Sequence, residues 1–371
     1  MLRKAQKWIL FFLAVLAAGY FLYKFRNAIT LEGFHWSAVV QSLRDARLSL
    51  LLLSIVGIHA CYAVRSLRWM RFCRWLGPTR FWNVFSATLM GFSCSFLLGR
   101  AAEPVRPVLI AKKDSLSIPG MLGVYVLERV FDMAATAVLA GSSLLLFERR
   151  GLVGGESDRL MKVARSGGVA LLVGLIVIVG FLVYFRYHGA AWLAGKLRHK
   201  RWRTGWREKV AALLEGFSDG LQGIRTWNDL AVLVGYSTVH WVLVIFVYLW
   251  VAHAFGGKLA ELSFAGATLV LAFTMVGSTI QFPGVGGGAQ VASFLVFTLI
   301  LGVDKEPAAT ASIMIWLISF AGCCLAGLPL LFHEGWSMGE LRRMARAEEQ
   351  AGEAALLDEV TRARDSGDTP Q

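Results

Sequence analysis

The sequence predicts an all-α, polytopic membrane helix bundle with about six full spans and two re-entrant or broken-helix hairpins. Three observations predict it. The 371-residue chain is 56% hydrophobic and only 17% charged, against about 25% charged residues in an average soluble domain. Its mean hydropathy is +0.56, and several apolar runs reach the roughly 20 residues that cross a bilayer. Those runs are continuous, whereas a membrane β-barrel would alternate apolar and polar residues.

The elements follow in order. Arg3, Lys4 and Lys7 precede an apolar run from Trp8 to Tyr23. That opening looks like a secretory signal, yet the run passes the weak Ala14–Ala17 cleavage pattern and meets Lys24 and Arg26, which predicts an uncleaved first helix. Leu31–Leu43 is polar enough for a short interfacial helix. The next run, Leu48–Val64, is a second crossing, after which Arg65, Arg68, Arg71, Arg74 and Arg80 fall on the inner side, as the positive-inside rule requires.

Phe81–Gly99 would then be a third crossing, but that places the most basic loop of the chain, with Lys196, Arg198, Lys200, Arg201, Arg203, Arg207 and Lys209, outside. A hairpin over Phe81–Ala111 returns it, together with Lys112 and Lys113, to the inside. Met121–Phe147, Gly167–Tyr187 and Leu230–Phe255 follow as crossings. Leu262–Phe282 and Ala289–Leu301 flank the break Pro283–Gly288, and the second run is too short to cross alone, so they form the other hairpin. Ala308–Phe332 is the last crossing. The transmembrane domain is therefore residues 1–332. Within it, the cytoplasmic loop 196–227 joins a basic, tryptophan-bearing front to an amphipathic back, which suits a membrane-surface element or an elbow helix packed on the bundle. Residues 333–371 form a cytoplasmic tail, partly disordered. Both termini are predicted cytoplasmic, in a plasma (inner) membrane.

Polar groups at membrane depth are the candidates for function, because each charge costs about 2.5–3.5 kcal/mol on insertion scales. Gly99-Arg100-Ala101-Ala102-Glu103-Pro104-Val105-Arg106-Pro107 puts three charges and two helix-breaking prolines at the hairpin turn. Glu128 and Asp132 stand four apart on one face of a crossing, with Arg129 beside them. This set reads as a polar network of Glu103, Glu128, Arg129, Asp132 and Gln290, either beside a substrate path or as a structural clamp. Arg100 and Arg106 suit a phosphate headgroup, because guanidinium binds it bidentately. Gly286, Gly287 and Gly288 could offer backbone N–H groups to the same anion, or simply permit a tight turn.

The glycine run lacks the Lys-Ser/Thr ending of a nucleotide loop. The seven histidines form no metal motif, and neither do Cys61, Cys73, Cys94, Cys323 and Cys324, which read as small packing residues without a disulfide framework. No catalytic residue, metal or cofactor is predicted. The net charge of +13 would suggest nucleic acid in a soluble protein; here it suits orientation and contact with anionic membrane lipids, and no nucleic-acid partner is expected.

Arg65-x-x-Arg68-Trp69, Gly99-Arg100-x-x-Glu103-x-x-Arg106, Glu128-Arg129-x-x-Asp132 and Pro283-Gly-x-Gly-Gly-x-x-Gln290 together resemble the flippase-like transmembrane domain of lysylphosphatidylglycerol synthetases and its stand-alone relatives. The resemblance runs in order from about Leu48 to Phe332. It implies a helical inner-membrane protein that moves lipids between leaflets, with Arg100, Glu103, Arg106, Glu128, Arg129 and Asp132 as its polar heart. Leu98 and Ala102 stand where the family often has proline and glycine, and Gln290 where it usually has glutamate. The soluble aminoacyl-transferase domain of the full synthetases has no counterpart here. The reading is a lipid translocase for an anionic or lipid-linked substrate and not an enzyme. The alternatives are a membrane-embedded transferase on a lipid carrier, or a non-transporting partner of a lipid or glycan synthase.

Overall fold

The computed structural model describes residues 35–99, 102–148, 219–220, 223–282 and 286–335, with positions 173, 174, 176, 177 and 180. The expected first helix, most of the Gly167–Tyr187 crossing, the basic front of the 196–227 loop, the tail after Gly335, Arg100 and Pro283–Val285 lie outside the described residues.

Among the described residues, the elements are α1 (Trp36–Arg44), α2 (Leu48–Cys73), α3 (Phe81–Leu98), α4 (Val105–Lys113), α5 (Ile118–Glu148), α6 (Trp227–Ala254), α7 (Gly257–Ala260), α8 (Phe264–Gly277), a two-residue antiparallel bridge of β1 (Gln281–Phe282) with β2 (Gly286–Gly287), α9 (Gly288–Leu295), α10 (Lys305–Trp316) and α11 (Cys324–His333). α9 runs on through a π turn at Val296–Ile300, and α10 joins α11 through another at Leu317–Ala321. α1 overlaps Leu31–Leu43, the stretch where a short helix was expected.

Among the described residues, α2 with 26 residues, α3 with 18, α6 with 28 and Lys305–His333 with 29 are long and apolar enough to cross a membrane, and α5, which carries the charges at Glu128–Asp132, has the length to do so with 31; α3 turns back as a hairpin leg. At 1.5 Å per residue α2, α5, α6 and Lys305–His333 exceed the roughly 30 Å of hydrocarbon, and α3 falls just short of it. Their outer faces carry exposed aliphatic side chains such as Leu52, Val56, Val138 and Leu325. Such a surface suits lipid tails rather than water.

α5 and α6 both run opposite to α2, and Lys305–His333 runs with it. Arg47 N donates to Ala254 O at 2.8 Å, and Arg71 Nη2 lies 2.7 Å from Asp229 Oδ1, so α2 and α6 are antiparallel. Asp229 also closes a capping box with Thr226 at the start of α6, which satisfies orphan N–H groups at that end. α5 starts where α2 finishes, with Met121 against Cys73. Lys305–His333 starts at the opposite end and finishes with Glu334 ion-paired to Lys113.

Both hairpins expected from the sequence form, the first from the sidedness of the basic loops and the second from the break before a short apolar run. α3 climbs into the bundle and stops at Gly99, which takes φ +82°. The chain turns over Pro104 and α4 descends again. Arg106 rests on Gly91, Lys113 Nζ donates to Ser86 Oγ at 2.9 Å, and Asn83 Nδ2 donates to Asp114 Oδ1 at 2.6 Å. The chain therefore returns to the end it left. α8 and α9 make the second hairpin: Gly277 meets Gly288 near the tip, and at the base Lys258 Nζ donates to Gly302 O at 2.6 Å. Its legs, 14 residues and 13 through the π turn, are too short to cross.

The order span, hairpin, span thus occurs twice: α2, α3–α4, α5, then α6, α8–α9, α10–α11. The first hairpin enters from the Cys73 end and the second from the Ala254 end, so the halves run in inverted senses. One test is direct. Single cysteines at Lys112 and Lys258 in intact cells should react with a membrane-impermeant thiol reagent from opposite faces. Labelling of both from one face would overturn the inverted arrangement.

Candidate functional site

The charged groups come together deep in the bundle. Glu128 lies ten residues into α5, about 15 Å from its start. It is fully buried, and three guanidinium groups from other helices converge on it, with Arg129 of its own helix at 3.5 Å. Arg65 Nε lies 2.8 Å and Arg68 Nη2 3.1 Å from Glu128 Oε1; Arg106 Nη2 grips Oε2. One turn on, Asp132 shares both α2 arginines: the same Arg68 Nη2 is 2.8 Å from Oδ1, and Arg65 turns its Nη2 to Oδ2. The i,i+4 spacing of the carboxylates matches the i,i+3 spacing of Arg65 and Arg68, because both pairs sit one above the other on facing helices. Arg68 Nη1 also donates to Ser237 Oγ on α6 at 3.1 Å.

The hairpin tip brings the rest. Arg106 is 3% exposed and lies over the rings of Trp69 at 4.5 Å and Phe92 at 4.9 Å. Such stacking holds the guanidinium plane while the carboxylate holds its edge. Glu103 accepts a hydrogen bond from Tyr125 Oη and faces Arg129 Nη1 at 3.7 Å.

A cavity of about 230 Å³ opens beside this cluster. Its walls include Arg65, Glu103, Arg106, Arg129 and Asp132 on one side, and aromatic Phe92, Phe96, Tyr125 and Trp241 around them. The second hairpin contributes Met275 and Ser278, and the π turn contributes Ser319 and Phe320. Tyr62 Oη donates to the Ser319 carbonyl at 3.2 Å, as suits a π turn, which leaves i→i+4 carbonyls free and often marks functional sites. His240, Asp132 and Ser319 each fall close to the middle of a long helix, so the cavity sits at mid-depth, between hairpins that enter from opposite ends.

Several expectations change. Arg65 and Arg68, read as part of an inner basic stretch, are interior residues: α2 continues to Cys73, and they are 8% and 0% exposed. The signal was present in their helical spacing from the apolar run and in Trp69 beside them. Gln290 is not in the charged network. Its Oε1 accepts from the Gly287 N–H at 2.7 Å, which caps its own helix. Gly286 and Gly287 form the bridge at the second tip, and Gly288 packs against the Gly277 backbone. Among the described residues these three glycines line no wall of the cavity. Arg106 is held on Glu128 rather than standing open. Tyr125, Ser237 and His240 were not singled out in the sequence. His240 is buried with Nδ1 3.2 Å from Cys61 O, and as a lone histidine in an apolar run it carries no local signature.

Among the described residues, no group of three or more histidine, cysteine or acidic side chains could hold a metal. The family described as the lysylphosphatidylglycerol synthase TM region matches residues 8–327. The chain belongs to this family. Neither the curated proteins nor the solved structures contain a match. As a member of the lysylphosphatidylglycerol synthase TM family, this is a multi-pass membrane protein of lipid metabolism or transport. Its buried ion cluster joins the three ordered motifs around Arg65, Arg106 and Glu128.

Proposed function

We propose that this protein is a lipid translocase that passes the headgroup of an anionic phospholipid or lipid-linked substrate through the mid-depth cavity. The observation that carries the reading is the arginine-lined cavity between two hairpins of opposite entry. Discontinuous helices meeting at mid-membrane are how repeat-built transporters make substrate sites. Intramembrane charges that line a watery cavity are functional by default. In this reading the chain makes and breaks no bonds, and its partners are membrane lipids.

Orientation follows from charge. The end that carries Arg71, Arg74, Arg80, Lys112 and Lys113 faces the cytoplasm of an inner membrane under the positive-inside rule.

The test is scrambling of labelled phosphatidylglycerol in proteoliposomes. Wild-type protein should equilibrate the label between leaflets, and Arg106→Ala should slow it by about tenfold or more. Wild-type vesicles no faster than protein-free ones would end the translocase reading.

A further inference from the structure

The four arginines of the cluster are not equally engaged. Arg65 and Arg68 each hold two carboxylates with at least one contact of 2.8 Å. Arg106 is buried on Glu128 between two rings. Arg129 differs. Its contacts to Asp132, Glu128 and Glu103 are 3.4, 3.5 and 3.7 Å, its Nε has no hydrogen-bond partner, and its side chain is 36% exposed, toward the cavity. The guanidinium is steered by Tyr125, whose ring centre is 5.2 Å away. It is the loosely held cation of the site, while its neighbours are fixed.

Charge and size narrow what it would take. Arg65, Arg68, Arg106 and Arg129 face Glu103, Glu128 and Asp132, so these described residues leave one positive charge over. One negative charge completes them. A phosphodiester carries one; a phosphomonoester or diphosphate carries more. The cavity, about 230 Å³, is below the roughly 300–1,000 Å³ of drug-sized pockets, so it admits a small headgroup and leaves any acyl chains outside.

We infer that Arg129 is the receptor for a singly charged phosphodiester headgroup, and that Glu103 on the hairpin tip is the resident counter-ion which competes with that headgroup for the guanidinium. This rests on the translocase reading for its purpose, though not for its chemistry. Guanidinium binds a diester through two parallel N–H···O bonds, closer than the 3.7 Å at which it faces Glu103 now. Glu103 stays bonded to Tyr125 on α5, and Arg106 keeps the hairpin on Glu128, so headgroup binding loosens one contact of the first hairpin without freeing it.

The experiment measures binding to the full-length protein in detergent, by tryptophan fluorescence or native mass spectrometry. The probes are phosphatidylglycerol, phosphatidic acid, phosphatidylcholine and soluble glycerophosphoglycerol. Phosphatidylglycerol should bind better than the other two lipids. Arg129→Gln should weaken it by about tenfold or more, Arg129→Lys less, and Glu103→Gln should tighten it several-fold by removing the competitor. Each variant is compared at matched helicity and thermal midpoint, and retention by Arg129→Lys of part of the affinity separates binding from folding. Glycerophosphoglycerol binding as tightly as the lipid would identify a soluble source and leave Arg129 as receptor. Preference for phosphatidic acid, or tight binding that ignores Arg129→Gln, overturns the inference, as does weaker binding in Glu103→Gln. Scrambling that persists in Arg129→Gln sinks this site alone; the predicted binding pattern without any wild-type scrambling sinks the translocase reading alone.

Discussion

Replacement of Glu128 by alanine should be the most damaging single change in the bundle. Its carboxylate is fully buried and holds Arg65, Arg68 and Arg106 at once. Removing one partner of a buried ion pair costs about 3–5 kcal/mol, because the remaining charge is stranded. Here Arg106 loses its carboxylate outright, while Arg65 and Arg68 keep Asp132. The loss is therefore expected at the upper end of that range, a large part of the 5–15 kcal/mol that typically separates folded from unfolded protein. Thermal unfolding in detergent should show a strongly lowered midpoint and a much reduced yield of membrane-inserted protein. Glu128→Gln should fall between the two, since an amide can accept one bond but cannot balance three cations. Combining Glu128→Ala with Arg106→Met should restore part of the stability, since the stranded charge leaves with its partner. A Glu128→Ala protein as stable as wild type would mean that these ion pairs do not form in the membrane.

The value of that carboxylate was legible in the sequence, and so was most of its setting. An acid-Arg-x-x-acid pattern inside an apolar run has to face the interior, and the structure aims Glu128 and Asp132 there. The hairpin of α3 and α4 was legible too, since two prolines and the sidedness of distant loops both demand that the chain turn back. Arg65 and Arg68 were harder. Counting stopped the second crossing at Val64 because charge begins there, but the hydrophobic residues between the arginines, Leu67 and Trp69, continue the helix to Cys73. Two cations at i,i+3 can be read as the end of a span or as one face of it. Only the position of their acidic partners on a different helix decides between these, and that is a tertiary fact.

Gln290 shows the opposite failure. Its place in a family-like motif suggested membership of the polar network, but a side chain three residues past a glycine bridge has a nearer donor, the Gly287 N–H. Helix capping is local and needs no partner from elsewhere, so it wins over a distant network. His240 had no signal of any kind, since one imidazole in an apolar run looks the same whether it packs or lines a cavity.

The second large effect is expected at Gly91, where the two legs of the first hairpin touch. A Cβ placed there would lie 2.5 Å from Arg106 Cβ and 2.9 Å from Arg106 Cα. The second of these is backbone, so no rotamer change relieves it; α4 as a whole has to move away from α3. Overpacking of this kind costs about 1–3 kcal/mol by itself. The displacement also draws Arg106 from Glu128 and from the rings of Trp69 and Phe92, so the loss includes an ion pair that membrane burial makes hard to replace. Gly91→Val should therefore lower the thermal midpoint and abolish scrambling, and Gly91→Ala should do so in part. Gly235→Ala is the matched control. It sits in the long helix α6, where an added Cβ meets nothing within 4 Å, so it should be neutral or stabilising by up to about 1 kcal/mol. If Gly91→Val and Gly235→Ala melt together, α4 does not pack against α3 at Arg106. The ion cluster would then have to be assembled without the hairpin that delivers its third arginine.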